Sequence, residues 1–301
     1  MIKVLTALVA ATALLTTAVG PASASPAVPQ SAVPQSAVPT DVTVAFAVFD
    51  RAAGRTTLGY NEHKRIRSAS VVKILIALDY FETYGADTEI PPADLALLVP
   101  MLRSSADNPA SELWVRLGWE KIVERAVVRL GLEDTAPPVN VGFWGYTSVS
   151  AADVVTIYRH VLDDAHPKVR DFIMGNLHQA TSCATDGFDQ SFGIPSAVPG
   201  DVAFKQGWSR FGDVPPRPCV EPTPLLQNGA AKDGPLSDRA AAPNDVDLTS
   251  AAMHTTGTYA HDRKIMAVLT LQPAGTAWDV SAQRVTVVTK AVYLAERFIN
   301  D

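Results

Sequence analysis

The segment Ser70-Val71-Val72-Lys73-Ile74-Leu75-Ile76-Ala77-Leu78-Asp79-Tyr80-Phe81 carries apolar residues at 71, 72, 74, 75, 77, 78 and 81. So broad an apolar face belongs to a helix that is largely buried. A serine opens this helix and a lysine follows three positions later, a spacing that puts both side chains on one face within hydrogen-bonding reach. A serine hydroxyl is a poor nucleophile until a base takes its proton. A lysine desolvated by apolar neighbours, or set beside another cation, is such a base. The helix N-terminus adds a backbone amide able to hold an oxyanion. The plainer alternative is a helix cap followed by a solvated lysine. Against it, Lys73 lies among Val72, Ile74, Leu75 and Ile76, where an idle ammonium is costly.

Outward from this helix, 42–49 reads as a strand that turns at Ala53-Gly54 into a second strand over 56–60. Apolar periodicity and capping residues predict further helices over 92–103, 109–117, 121–130, 151–162 and 166–177. Strands return at 202–205 and 264–271, and a helix closes the chain over 281–300. Between them, 209–249 is rich in Pro, Gly, Asp and Asn and reads as a long loop. Strands near both ends with helices between them predict an α+β fold, in which one antiparallel sheet is built from the chain termini beside a mostly helical subdomain.

Two further polar groups could join Ser70 and Lys73. Arg103-Ser104-Ser105-Ala106-Asp107-Asn108-Pro109 lies between two predicted helices, where short polar side chains also serve as caps. In a catalytic reading Ser105 relays a proton to the leaving group, and Asp107 or Asn108 orients Lys73 and the substrate. Lys205-Gln206-Gly207-Trp208 is read on a strand entered from Val202. There the lysine supplies positive charge and the glycine permits close approach to the backbone. Lys232-Asp233-Gly234 repeats that spacing without a strand around it and is read as a turn.

In this order the three groups resemble the Ser-x-x-Lys, Ser-Asp-Asn and Lys-Thr-Gly set of class A β-lactamases and penicillin-binding proteins. The resemblance covers roughly residues 42–299 and includes His254-Thr255-Thr256-Gly257, which it sets before a sheet strand. It implies a secreted serine hydrolase acting through an acyl-enzyme on Ser70, with Lys73, Ser105 and Lys205 as catalytic partners. Asp107, Asn108, Gln206, Gly207 and Trp208 would bind substrate, and the amides of Ser70 and Trp208 would form the oxyanion hole. Lys205 would hold an anionic part of a β-lactam, an ester or a peptidoglycan-like peptide. The second motif reads Ser105-Ala106-Asp107, or Ala106-Asp107-Asn108 with the frame moved by one. Gln206 replaces the threonine of the third. No carboxylate occurs in 135–150, where class A β-lactamases carry the glutamate that activates the deacylating water. Glu133 and Asp134 read as a helix end and turn. An acyl-enzyme that forms and persists is therefore expected. The alternative is an inactive binding module on the same fold.

The rest of the chain narrows the setting. Lys3, an apolar run over 4–19 and Ala22-Ser23-Ala24 read as an export signal cleaved after Ala24. A Pro-rich repeat over 25–40 reads as a flexible spacer, leaving the hydrolase domain at 41–301. No cysteine sits at the cleavage point, so free secretion is expected rather than a lipid anchor. Cys183 and Cys219 are the two cysteines, and in an exported chain they predict one disulfide. The net charge of −6, with no basic run beyond Lys64-Arg65, excludes nucleic acid and anionic membranes as partners. No later apolar run is long enough to span a membrane. His160, Asp163, Asp164 and His166 read as a solvated helix end rather than a metal site. Trp114, Trp119, Phe143, Trp144 and Tyr146 read as core or site lining. No cofactor is expected, and the protein is expected to act as a monomer.

Overall fold

A computed structural model describes residues 39–220 and 246–300. The expected export signal, nearly all of the spacer, and the Lys232-Asp233-Gly234 turn lie outside the described residues.

Strand β1 (Thr43–Asp50) alternates between two cores. Val44, Phe46 and Val48 face one apolar cluster, while Ala45, Ala47 and Phe49 face the other. A strand covered on both faces carries no polar stripe, which is why its sequence is a continuous apolar run. It pairs antiparallel with β2 (Arg55–Tyr60) on one side and with β7 (Lys264–Gln272) on the other. β7 then pairs with β6 (Ala251–Tyr259), and β6 with β5 (Ala203–Ser209), giving the order β2-β1-β7-β6-β5. The antiparallel sheet built from the chain ends is thus present. A separate pair, β3 (Ile66–Arg67) with β4 (Ser148–Val149), was not anticipated.

Helices α1 (Lys73–Tyr84), α2 (Pro92–Arg103), α3 (Asp107–Arg116), α4 (Lys121–Leu130), α5 (Ala151–Arg159) and α6 (Pro167–Leu177) form the helical part, and α5 packs on β1 and β7. On the opposite face, the short α7 (Ile194–Ala197) and the closing α8 (Trp278–Asn300) pack over the sheet through residues such as Ile194, Val288 and Val292. Local chemistry sets several boundaries: Pro92 starts α2, Ser150 caps α5 by accepting from the Asp153 amide at 3.1 Å, and Gly131 ends α4 at φ +65°.

Three expectations change. The predicted helix at Ser70 opens as a 3₁₀ turn over Ala69–Val72, and α1 itself begins at Lys73. Helix α5 ends at Arg159 and widens into a π turn over His160–Asp164. His254-Thr255-Thr256-Gly257 lies inside a sheet strand, the middle of β6, rather than before one. A β-carbon on Gly257 would stand 2.0 Å from the Ala203 carbonyl oxygen, so the glycine admits the neighbouring strand while masking the strand pattern.

Candidate active site

Ser70 sits in the 3₁₀ turn immediately before α1, and Ala69 before it is held at φ +44°. A non-glycine residue in that region is strained and persists where packing over-determines it. Lys73, the first residue of α1, is fully buried. Its ammonium donates to Ser70 Oγ at 2.9 Å, to the Ser105 carbonyl at 2.6 Å, and at 3.4 Å to Ser105 Oγ. It also forms an ion pair with Asp107 and lies 4.7 Å from the Trp144 ring centroid. The apolar neighbours seen in the sequence therefore bury the amine, and polar groups from the α2–α3 junction satisfy it.

That junction is bent to deliver them. Ser105 is held at φ +56° and nearly buried, with its carbonyl and hydroxyl on the same ammonium. Lys205, on β5, donates to Ser105 Oγ at 2.7 Å and to the Gln206 carbonyl at 3.2 Å. One hydroxyl is thus bracketed by two amines. Burial, together with the charge of Lys73, holds the Lys205 amine well below the usual lysine range, and Asp107 and Asp186 partly oppose the shift. Lys205 is 1 % exposed, so its reach toward a substrate runs through Ser105. Asp107 is the residue on Lys73, which favours the Ser105-Ala106-Asp107 frame, while Asn108 stands on the cavity wall.

Gly207 and Gln206 take positions other than those expected. A β-carbon on Gly207 would meet the Ser68 carbonyl oxygen at 2.9 Å and the Ser70 amide nitrogen at 3.2 Å. The close approach that this glycine permits is thus between β5 and the nucleophile's turn, not between β5 and a substrate. Gln206 is fully buried, with its amide nitrogen donating to the carbonyls of Gln190 and Phe192. Pleat alternation turns it away from Lys205 and Gly207, so it anchors the 190–192 segment instead of meeting substrate. Trp208 is on the cavity wall. Arg67 secures this end of β5: it is buried, donates to Ser209 Oγ at 2.7 Å, and bonds the carbonyls of Asp247 and Ser250. Burial pushes its guanidinium down to about 10.

A cavity of about 250 Å³ opens over Ser70. Phe143, Trp144, Tyr146, Trp208 and Phe211 give it aromatic walls. Trp114 is core, whereas Trp119 is exposed and off the cavity wall, so it is neither core nor site lining. The 142–146 segment lines the cavity without a carboxylate, and neither Glu133 nor Asp134 reaches it. Asp134 instead pairs with His63 at 2.9 Å. Of the sequence cluster near His160, Asp163 pairs with Arg51 and His166 Nδ1 accepts from the Lys168 amide at 3.3 Å.

Two carboxylates on the cavity wall, Asp186 and Asp213, were missed by sequence reasoning. Asp186 lies on the wall and accepts from the Phe188 amide at 3.1 Å and from Trp208 Nε1 at 3.2 Å. Burial raises its carboxyl above the usual aspartate range, Asp107 pushes the same way, and the hydrogen bonds and Lys73 partly oppose. Its turn is tied by the disulfide Cys183–Cys219, as the cysteine pair predicted, and by the Cys219 amide donating to the Gly187 carbonyl at 2.8 Å. Asp186-Gly187 looks like an ordinary surface turn in the sequence. Only its nearness to a cysteine of the predicted disulfide marked it as anchored.

No protein-family profile matches the chain. A Mycobacterium tuberculosis protein named "Putative lipoprotein LppW" is 38% identical over 172 residues, covering 55% of this chain and 54% of its own length. The namesake in Mycobacterium bovis matches to the same extent. The chain therefore spans about half the length of the curated relatives it matches. Among solved structures, PBP-A superposes with a TM-score of 0.58 at 13% identity, over 86% of this chain and 92% of that one. A related PBP-A structure is an acyl-enzyme complex with penicillin G. A class A β-lactamase from Mycobacterium abscessus gives a TM-score of 0.56 at 17% identity, over 84% and 93% of the two chains. A class A representative from Bacteroides cellulosilyticus gives 0.59 at 17% identity, over 92% and 100%. The fold is like that of PBP-A and the class A β-lactamases, as the ordered motifs implied.

Proposed function

We propose that this chain is an exported active-site serine hydrolase that acts on an amide or ester. Ser70 Oγ attacks the carbonyl carbon as its proton passes to Lys73 acting in its neutral amine form. The tetrahedral oxyanion is held by the amides of Ser70 and Trp208, and collapse expels a leaving group that is protonated through Ser105. Lys205 supports this relay through its hydrogen bond to the same hydroxyl. The observation that carries the reading is the 2.9 Å contact between Lys73 Nζ and Ser70 Oγ, made by a fully buried amine behind a serine that lines a cavity. Hydrolysis of the acyl-enzyme is slow because the 142–146 segment brings no carboxylate to activate water, and of the wall carboxylates Asp107 is held by Lys73 and Asp186 by the Phe188 amide and Trp208 Nε1. Rapid penicillin turnover by the purified protein would contradict this last point.

Export rests on the signal-like N-terminus and on the disulfide, which uses both cysteines of the chain. No helix among the described residues is long and apolar enough to cross a membrane.

The test is labelling with a fluorophosphonate and a fluorescent penicillin. Label on the wild type that is lost in Ser70→Ala supports the enzyme. A second reading, an inactive module binding cell-wall material, draws on the ion pair in which Asp107 competes with Ser70 for the Lys73 ammonium. An unlabelled wild type would favour it.

A further inference from the structure

Buried carboxylates in this protein meet a cation or a dense set of donors. Asp50 has Arg263 at 2.8 Å and Lys264 at 2.9 Å, Asp79 has Arg125 at 2.6 Å, Asp94 has Arg116 at 2.7 Å, and Glu296 has Lys264. Asp107 has Lys73. Asp153 makes no ion pair among the described residues but accepts from the amides of Glu133 and Asp134 and from Thr135 Oγ1, at 3.1, 2.9 and 2.7 Å. Asp186 differs. It is half-buried on the wall of the active-site cavity, has two neutral donors, and makes no ion pair among the described residues.

A desolvated carboxylate without a counter-charge is costly, and a cation brought into its cavity removes that cost. The surroundings favour such a guest. Aromatic faces attract an ammonium. Among the described residues the cavity wall carries Asp186 and Asp213 against Arg210, besides Asp107, whose charge Lys73 meets, while Lys205 lies buried beneath it with hydrogen bonds already made. A carboxylate-bearing substrate would meet like charges on that wall.

We infer that Asp186 selects substrates bearing a protonated amine close to the scissile carbonyl, so that the cavity takes an amine-bearing peptide-like amide or ester in preference to an anionic one. As a statement about turnover this rests on the serine-hydrolase reading. As a statement about binding it does not.

The two are separated by one set of three matched ligands that differ only in a terminal ammonium, acetamide or carboxylate. Presented as thioesters to the wild type, they should show kcat/KM highest for the ammonium, by about tenfold or more over the carboxylate, the scale of one charge-assisted contact. In Asp186→Asn that ratio should fall to within about threefold of unity, less than half the logarithmic gap of one such contact. Presented as amides to Ser70→Ala in a calorimeter, the same ligands should bind in the same order, and Ser70→Ala with Asp186→Asn should lose that order. Ser70-dependent turnover with no preference for the ammonium, or a preference that survives Asp186→Asn, overturns the inference and leaves the hydrolase reading intact. Ordered binding with no turnover and no fluorophosphonate label upholds the inference and overturns the hydrolase reading.

Discussion

Gly207 and Ser70 are packed backbone to backbone: a β-carbon added to Gly207 would lie 3.2 Å from the Ser70 amide nitrogen. The β5 strand is therefore pressed against the turn that carries the nucleophile, with no room for a side chain between them. Gly207→Ala should cost about 1–3 kcal/mol in urea unfolding, the usual penalty of overpacking. It should also lower the rate of Ser70 labelling in protein that remains folded. A variant that labels at the wild-type rate would show that the turn can yield.

The Lys73–Asp107 pair joins a fully buried ammonium to a carboxylate that is 26% exposed. Removing one partner leaves a buried charge without its counterion. Asp107→Ala should therefore destabilise the fold by about 3 kcal/mol or more, and Lys73→Met combined with Asp107→Ala by less. Equal losses in the single and double variants, measured by chemical denaturation, would show that the carbonyl and hydroxyl of Ser105 satisfy the ammonium without Asp107.

His254 is fully buried in β6, its Nε2–H donating to the Arg67 carbonyl at 2.8 Å and its Nδ1 accepting from the Thr270 amide at 3.1 Å. Burial pushes its imidazole down from 6.5 to about 4. Between those values the unfolded chain binds a proton that the folded chain refuses, so stability rises with pH across this window. The contribution is fully present above about pH 6.5 and is lost as the pH falls toward 4, by roughly 1.4 kcal/mol per unit. Denaturant midpoints at pH 7 and 5 should differ less in His254→Gln than in the wild type. Asp50, held below the usual carboxylate range by Arg263 and Lys264, adds its own loss only at lower pH.

The disulfide closes a loop of sequence separation 36. On the chain-entropy account Cys183→Ala with Cys219→Ala should cost about 4 kcal/mol. Because the bridge also ties the Asp186 turn, amide hydrogen exchange at 184–188 should speed up more than at α5. Uniform exchange across both segments would mean that Gln190 and Gln206 hold the turn without the bridge.

The helices and strands β1, β2, β5 and β7 were legible because each repeats its signal locally. Residues 92–103 and 121–130 predict α2 and α4 to the residue. Strand β6 was not, since Gly257 and a run of threonines carry their meaning only against β5 and β7. Ser70 and Lys73 could be paired from spacing alone, and the order of three polar motifs added Ser105, Asp107, Lys205 and Trp208. Gln206 and Gly207 were assigned to substrate from their place in a motif. The pleat turned one away, and the turn at Ser70 filled the space beside the other.

By itself the sequence determined the elements with strong periodicity, the cysteine pair and the serine–lysine register, because neighbours in the chain produce these. Tertiary structure decided which charges meet. It set Asp107 on Lys73 and Lys205 on Ser105, and it brought Asp186 from a distant turn to the wall above Ser70. Such encounters depend on the path of the whole chain and on what burial withholds from water, and neither is written in local spacing.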